Sequence, residues 1–257
     1  MNKNSMKAII IADPGKLPGP FQKRHPLSVV PEIDQPVILY TMEFLISNNI
    51  TNIIIIVQDS NKQEISNIID SEKYVGVNYR IIKKNQDSSI TSVIRFLDTK
   101  DLLNDDFIIV NGFVLSNFDI SGAIKAHKLR KQNEAPMLLT KCFTRVPFNS
   151  DFRGEEISIV FNNTDQDILK YERMSDKKAC KINQFFQYNP KKHRSLTIRM
   201  DLMDCEVDII SPNILSILGD SDHYDYFKDE FINHVVESEI ISDKVYFHEV
   251  KEVTHYI

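Results

Sequence analysis

Glycine is scarce in this chain. Its 257 residues hold seven, well under the average usage of about 7%. A catalytic phosphate-binding loop concentrates several glycines in one place, so the shortage counts against one. Cysteine is sparse too: Cys142, Cys180 and Cys205 are odd in number, scattered, and without metal-ligand spacing. That excludes a disulfide scaffold and a cysteine metal cluster, and predicts reduced structural thiols. Long apolar runs are missing. The longest, Ile53 to Val57, is far too short to cross a bilayer, and no signal-peptide pattern precedes it. The expectation is a soluble cytosolic protein. Basic charge is not in excess, with Lys+Arg at 31, Asp+Glu at 36 and a formal net charge of −5. Nothing electrostatic therefore favours nucleic acid or an anionic membrane as partner. Ser/His/Asp or Cys/His sets at recognisable spacing for nucleophilic catalysis are absent as well.

What is present is ordinary globular material, 42% hydrophobic and 26% charged, long enough for one α/β domain or two small ones. The stretch from Ala8 to Leu45 organises the rest. Ala8 to Ala12 is apolar and rich in β-branched Ile, which predicts a buried strand. Pro14, Gly15, Pro18, Gly19 and Pro20 then bar any helix or strand interior. From Pro36 to Leu45 the pattern is helical, with Ile38, Met42 and Leu45 on one face. Strand, Gly/Pro loop and helix is the layout of a nucleotide-binding first βα unit.

Further strands are predicted at Asn52–Val57, Val77–Ile82 and Phe107–Val110, the last ending at Asn111-Gly112. Helices are predicted at Gln63–Asp70 (apolar stripe Ile65, Ile68, Ile69) and Ser89–Leu97, with Asp87 or Ser88 as cap. This alternation predicts an α/β fold: a mainly parallel, Rossmann-like sheet with helices on both faces. The second half reads as a helix at Asp119–Gln132 carrying Ile120, Ile124, His127 and Leu129, then strands at Met137–Phe143 and Glu156–Phe161. Weaker strands follow at Ile168–Tyr171 and Thr197–Met200, with a surface loop between them from Arg173 to Lys192. Cys205–Ile210 is a strand, and Ser211-Pro212 opens a helix with Ser211 as N-cap. Tyr226–Val236 is a helix and Val245–Val250 a terminal strand. One domain, 1–257, is expected, in two lobes of about 1–117 and 118–257.

Several strings resemble the sugar-phosphate nucleotidyltransferase superfamily. Pro26-Leu27, Val29-Val30-Pro31 and Pro36 to Leu45 (PVILYTMEFL) follow its Pro-Lys pair and LLPxxxxPLIxYxLExL segment. Within it, the chain is similar to the amino-terminal domain of the epsilon-subunit family of translation initiation factor 2B. Tyr40–Leu45, Asp106–Lys131 (DFIIVNGFVLSNFDISGAIKAHKLRK), Arg199–Leu215 (RMDLMDCEVDIISPNIL) and His223–Val236 (HYDYFKDEFINHVV) carry that likeness. It spans nearly the whole chain, loosely between Thr144 and Arg194.

The resemblance implies a nucleotidyltransferase-like fold whose active members need a Gly-Gly-x-Gly-x-Arg loop, a Lys after the Pro, and an Asp after the glycine closing the fourth strand. Those groups bring together two phosphates and a Mg²⁺ ion. Here Ala12-Asp13-Pro14-Gly15 replaces the glycine cluster, Leu27 stands for the Lys and Phe113 for the metal-binding Asp. An aromatic ring cannot coordinate a hard cation. The phosphate loop, with Asp13, Gly15, Lys16, Lys23 and Arg24, reads as vestigial; the expectation is no catalytic residues, no cofactor and no metal.

The resemblance further implies a part in guanine-nucleotide exchange on the initiation factor 2 GTPase, with the gamma and other subunits of initiation factor 2B as partners. In the family exchange is assigned to a carboxy-terminal domain, and neither it nor the β-helix before it is expected in this chain. His223, Tyr224, Asp225 and Tyr226 match the family's exchange-linked Asn-Phe-Asp-Tyr segment, with His in place of Asn. The alternative for Tyr224 and Tyr226 is packing at a helix end. For Arg199, Asp201, Asp204 and Cys205 the sequence favours intradomain ion pairs over a partner-facing edge. The competing functions are an active nucleotide-sugar pyrophosphorylase and a nucleotide-binding regulatory module without catalysis.

Overall fold

The computed structural model describes residues 6–12, 35–84, 89–133, 136–146, 157–173, 195–219, 227–238, 240–250 and 255–256. The first strand, β1 (Lys7–Ile11), is followed by α1 (Val37–Ser47), β2 (Asn52–Gln58), α2 (Lys62–Ser71), β3 (Asn78–Lys84), α3 (Ile90–Asp98) and β4 (Phe107–Asn111). Next come a two-residue strand β5 (Leu115–Ser116), α4 (Ser121–Gln132), β6 (Met137–Arg145), β7 (Ile157–Asn162), β8 (Ile168–Arg173) and the long β9 (Leu196–Ile210). A short α5 (Ile214–Gly219), a π-helical turn (Phe227–Phe231) running into α6 (Ile232–Glu237), β10 (Lys244–Glu249) and β11 (His255–Tyr256) complete the order.

The main sheet runs β10-β6-β9-β4-β1-β2-β3, with β7 on β9 and β8 on β7. Pairing is parallel for β1 with β2 and β4, β2 with β3, and β6 with β10. Strand β9 runs against both of its neighbours, β4 and β6. This is the α/β fold the alternation predicts, a mostly parallel mixed sheet, and its strands come from both sides of residue 117.

Two cores flank the sheet, and the pleat of β1 divides them. Ile9 and Ile11 join α3, α5 and α6 in one, while Ala8, Ile10 and Ala12 join α1, α2 and α4 in the other. All five side chains are fully buried. A strand covered on both faces reads as a continuous apolar run, which is why this one is legible. In α1 the predicted stripe Ile38, Met42 and Leu45 is fully buried. Helix α3 is capped by Ser89, whose side chain accepts from the Ser92 amide at 3.4 Å. The predicted caps Asp87 and Ser88 lie outside the described residues.

Other expectations need correction. Leu129 of α4 is 57% exposed, and Ala123 is buried with His127 instead. The turn of 3.6 residues places 123 and 127 on one line, with 129 rotated away from it. The two predicted strands Thr197–Met200 and Cys205–Ile210 are one 15-residue strand, β9. Its first half pairs with β7 and its second with β4 and β6. Ser211 accepts from the Asn213 amide at 3.4 Å, but the helix starts at Ile214, after a turn through Pro212 and Asn213. Strand β10 is followed by β11, antiparallel to β5. The predicted loop beyond Arg173 lies outside the described residues.

Candidate functional site

Chain order and strand order together locate a crevice. From β1 the chain winds outward through β2 to β3, then returns to place β4 on the other side of β1. Ligands in such sheets sit beyond the carboxyl ends of the strands where the winding reverses, here at the ends of β1 and β4. At that point the turn Asn111-Gly112-Phe113 folds back over β1. The Gly112 amide donates to the Ile11 carbonyl at 2.8 Å, and the Ala12 amide to the Ile56 carbonyl at 3.0 Å. A Cβ on Gly112 would lie 2.8 Å from Ala12 Cα, a close approach that only glycine permits. The hydroxyl of Thr41 in α1 donates to the Val114 carbonyl at 3.0 Å and holds the turn from the other side. Phe113 thus stands, half-buried, at the switch point.

From β4, Asn111 reaches across to β9. Its amide Nδ2 donates to Glu206 Oε2 at 2.6 Å, and Asn111 Oδ1 is buried with no hydrogen-bond partner among the described residues. A carboxylate only accepts, so it fixes the orientation of the amide. Glu206 sits at a break in the β6–β9 register, with φ of 56°, a left-handed conformation uncommon for a side-chain-bearing residue. The carboxylate Oδ1 of Asp204 accepts from the Glu206 amide at 2.9 Å, pinning this bulge. Arg173, the last residue of β8, places Nη2 3.7 Å from Glu206 Oε1.

Behind the bulge lies a buried ionic group. Lys141 of β6, fully buried, donates to Asp208 at 2.9 and 3.1 Å and pairs with Asp204 at 3.0 Å. The Tyr171 hydroxyl donates to Asp204 at 3.3 Å. Burial alone would lower the Lys141 pKa, but the carboxylates of Asp204 and Asp208 outweigh it and raise the pKa well above the ordinary value. Burial pushes the thiols of neighbouring Cys142 and Cys205 upward, and both are free and unreactive in character.

Of the candidate loop, switch-point and exchange residues named from sequence, Phe113 alone lies within the described part of the chain. Asp13, Gly15, Lys16, Lys23, Arg24, Leu27, His223, Tyr224, Asp225 and Tyr226 lie outside it, as does Cys180. Arg199 forms ion pairs within the domain, with Asp201 at 2.5 Å and Glu249 at 3.1 Å. Asp204 does not belong with those surface pairs; it faces the buried Lys141. Sequence reasoning passed over Arg173, Glu206, Asp208 and Lys141. The available signal was Asp204, Glu206 and Asp208 at every second position, alternating with the apolar Cys205, Val207 and Ile209, opposite a lone lysine in MLLTKCF. Among the described residues, no three His, Cys, Asp or Glu side chains are grouped to hold a metal ion, and no helix is long and apolar enough to cross a membrane.

The doubly wound sheet, its switch-point crevice and the inserted β7–β8 hairpin define a nucleotidyltransferase-like α/β domain. The family model described as Nucleotidyl transferase matches residues 20–147. A putative glucose-1-phosphate thymidylyltransferase from Bacillus anthracis, solved in complex with a sucrose, has the same fold. Its TM-score is 0.59 at 16% identity, covering 95% of this chain and 87% of that one. Two curated relatives are more particular. Translation initiation factor eIF2B subunit epsilon of Dictyostelium discoideum is 23% identical over 251 residues, 95% of this chain and 35% of the relative. Its counterpart from Schizosaccharomyces pombe is 24% identical over 260 residues, 97% of this chain and 38% of the relative. The chain therefore has a nucleotidyltransferase-like fold and is similar over nearly its whole length to these two epsilon subunits. It spans a little over a third of the length of the curated relatives it matches.

Proposed function

We propose that this chain is a catalytically inactive nucleotidyltransferase-like domain that supports subunit assembly and guanine-nucleotide exchange on initiation factor 2. The observation that carries the reading is Phe113 at the switch point. Phosphoryl chemistry needs a carboxylate there to hold a hard cation, and a half-buried aromatic ring offers none. The sequence of the opening loop supports the same conclusion. Pro14 and Leu27 remove a backbone donor and a cation that would cradle phosphate. In this reading Asp13, Gly15, Lys16, Lys23 and Arg24 are remnants of the loop. No residue is catalytic, and exchange takes place only within the complex.

The partners in this reading are a gamma-type subunit, the other subunits of the factor and the initiation factor 2 GTPase, all in the cytosol. His223, Tyr224, Asp225 and Tyr226 are the candidates for supporting exchange, and residues 1–257 act as one domain of two lobes. Incubating the purified chain with GTP, hexose 1-phosphate and Mg²⁺ should release no pyrophosphate above a protein-free control. Mixing it with a gamma-type subunit at micromolar concentration should give a stable heteromer on size-exclusion chromatography. Sustained pyrophosphate release would overturn the inactive reading, and a chain that stays monomeric would overturn the assembly role.

A further inference from the structure

Charged and amide side chains from three strands meet beside the crevice, where Glu206 links Asn111 to Arg173. Both oxygens of Glu206 are engaged, Oε2 by the Asn111 amide at 2.6 Å and Oε1 by Arg173 at 3.7 Å. Asn111 is buried, so its amide has no water to exchange for the carboxylate. The left-handed bulge at Glu206 is held by Asp204, itself locked onto Lys141, and so Glu206 is aimed rather than free to swing. Arg173 is the more open member, its side chain 39% exposed against 11% for Glu206. Burial opposes the Arg173 charge, but Tyr171, Glu206 and Asp204 outweigh it and keep the guanidinium fully charged.

We infer that the Arg173–Glu206 pair is an internal plug, in which Glu206 occupies the guanidinium that a phosphate-bearing ligand would need beside the crevice. The inference rests on the reading of the crevice as a disused phosphate site. A tethered carboxylate competes with any free anion at an effective concentration of at least about a millimolar. It also has no association entropy left to lose. An arriving phosphate must displace Glu206 and leave a carboxylate next to the buried Asn111 without its cation. Guanidinium is otherwise the group best matched to phosphate, by its planar fork of donors.

The test is calorimetry with inorganic pyrophosphate on the whole chain. Glu206→Gln keeps an acceptor for Asn111 and removes the charge that holds Arg173. It should bind pyrophosphate about tenfold more tightly than the unaltered chain, the scale of one charge-assisted contact. Adding Arg173→Met to that variant should abolish the gain. Glu206→Asp, one methylene shorter, serves if the glutamine variant does not fold, and should show a smaller gain in the same direction. Variants that bind no better than the unaltered chain, or a gain that survives the loss of Arg173, would overturn the plug. In those cases the inactive reading stands, because it is judged by pyrophosphate release from the unaltered chain.

Discussion

The two ends of the sheet are built on different physics. On one side β3, β2, β1 and β4 run parallel, and the central pair is saturated with apolar side chains: Ala8 to Ala12 and Ile53 to Val57 are almost wholly buried. On the other, β6, β7, β8, β9 and β10 are mixed in direction, and ionised groups are buried among them, with Lys141 at 0%, Asp208 at 2% and Asp204 at 3% exposure. The apolar side needs only pattern and volume to be specified. The charged side needs partners in register, because each buried charge is costly until its counter-ion arrives. The candidate site lies on the seam between them, where β4 meets β9.

That contrast can be broken most severely at Lys141. Lys141→Met should destabilise the fold by about 3–5 kcal/mol, since it strands two buried carboxylates. Changing Asp204 and Asp208 to Asn in the same protein should recover much of the loss. Urea denaturation of the single and triple variants measures both effects; equal stabilities for the single variant and the parent would show the ionic group to be idle.

Ile10→Ala on the apolar side should cost about 2–5 kcal/mol through lost burial and a cavity. Its distinguishing feature is pH independence: the same loss is expected at pH 5 and pH 8, whereas the Lys141→Met loss should shrink in acid as carboxylates become neutral. On the seam, Gly112→Ala should cost about 1–3 kcal/mol, because backbone and not a flexible side chain meets the new methyl group. A thermal melt that matches the parent would contradict the close approach of Gly112 to Ala12.

The smallest effect is expected at the rim of the charged side. A hydrogen bond from Arg199, aided by its charge, holds the Asp201 carboxyl below the usual range; burial opposes the charge of Asp106, but the nearby His127 ring and Lys131, which donates at 2.6 Å, hold its carboxyl low as well. A depressed carboxyl pKa stabilises the fold at neutral pH, and that contribution is lost as pH falls from the ordinary Asp value of about 3.9 through the lower folded value. Asp201→Asn should therefore flatten the acid limb of the stability profile and leave the profile above about pH 6 parallel to the parent. An unchanged acid limb would remove Asp201 from the account.

The same divide decided how much could be read without coordinates. β1, β2 and β4 stand out as β-branched runs, and α1 and α3 as spaced apolar stripes, so the doubly wound half was legible at once. Phe113 was legible as well, because it follows the Asn111-Gly112 pair that closes β4. β9 was not. The charges of Asp201 and Asp204 made it read as two strands with a break, since nothing local shows that Lys141 waits opposite Asp204. Arg173 and Glu206 stayed hidden for the same reason: their meeting depends on a bulge, on a β7–β8 hairpin, and on three strands far apart in the chain.

Sequence by itself determined the class of fold, its apolar layers and the aromatic residue after the Asn111-Gly112 turn, because periodicity and residue identity are local quantities. Tertiary structure alone decided which charges are buried, which partner neutralises each, and where Arg173, Glu206 and Asn111 converge. Those are questions of distance and dielectric, and they have no answer until strands remote in sequence are side by side.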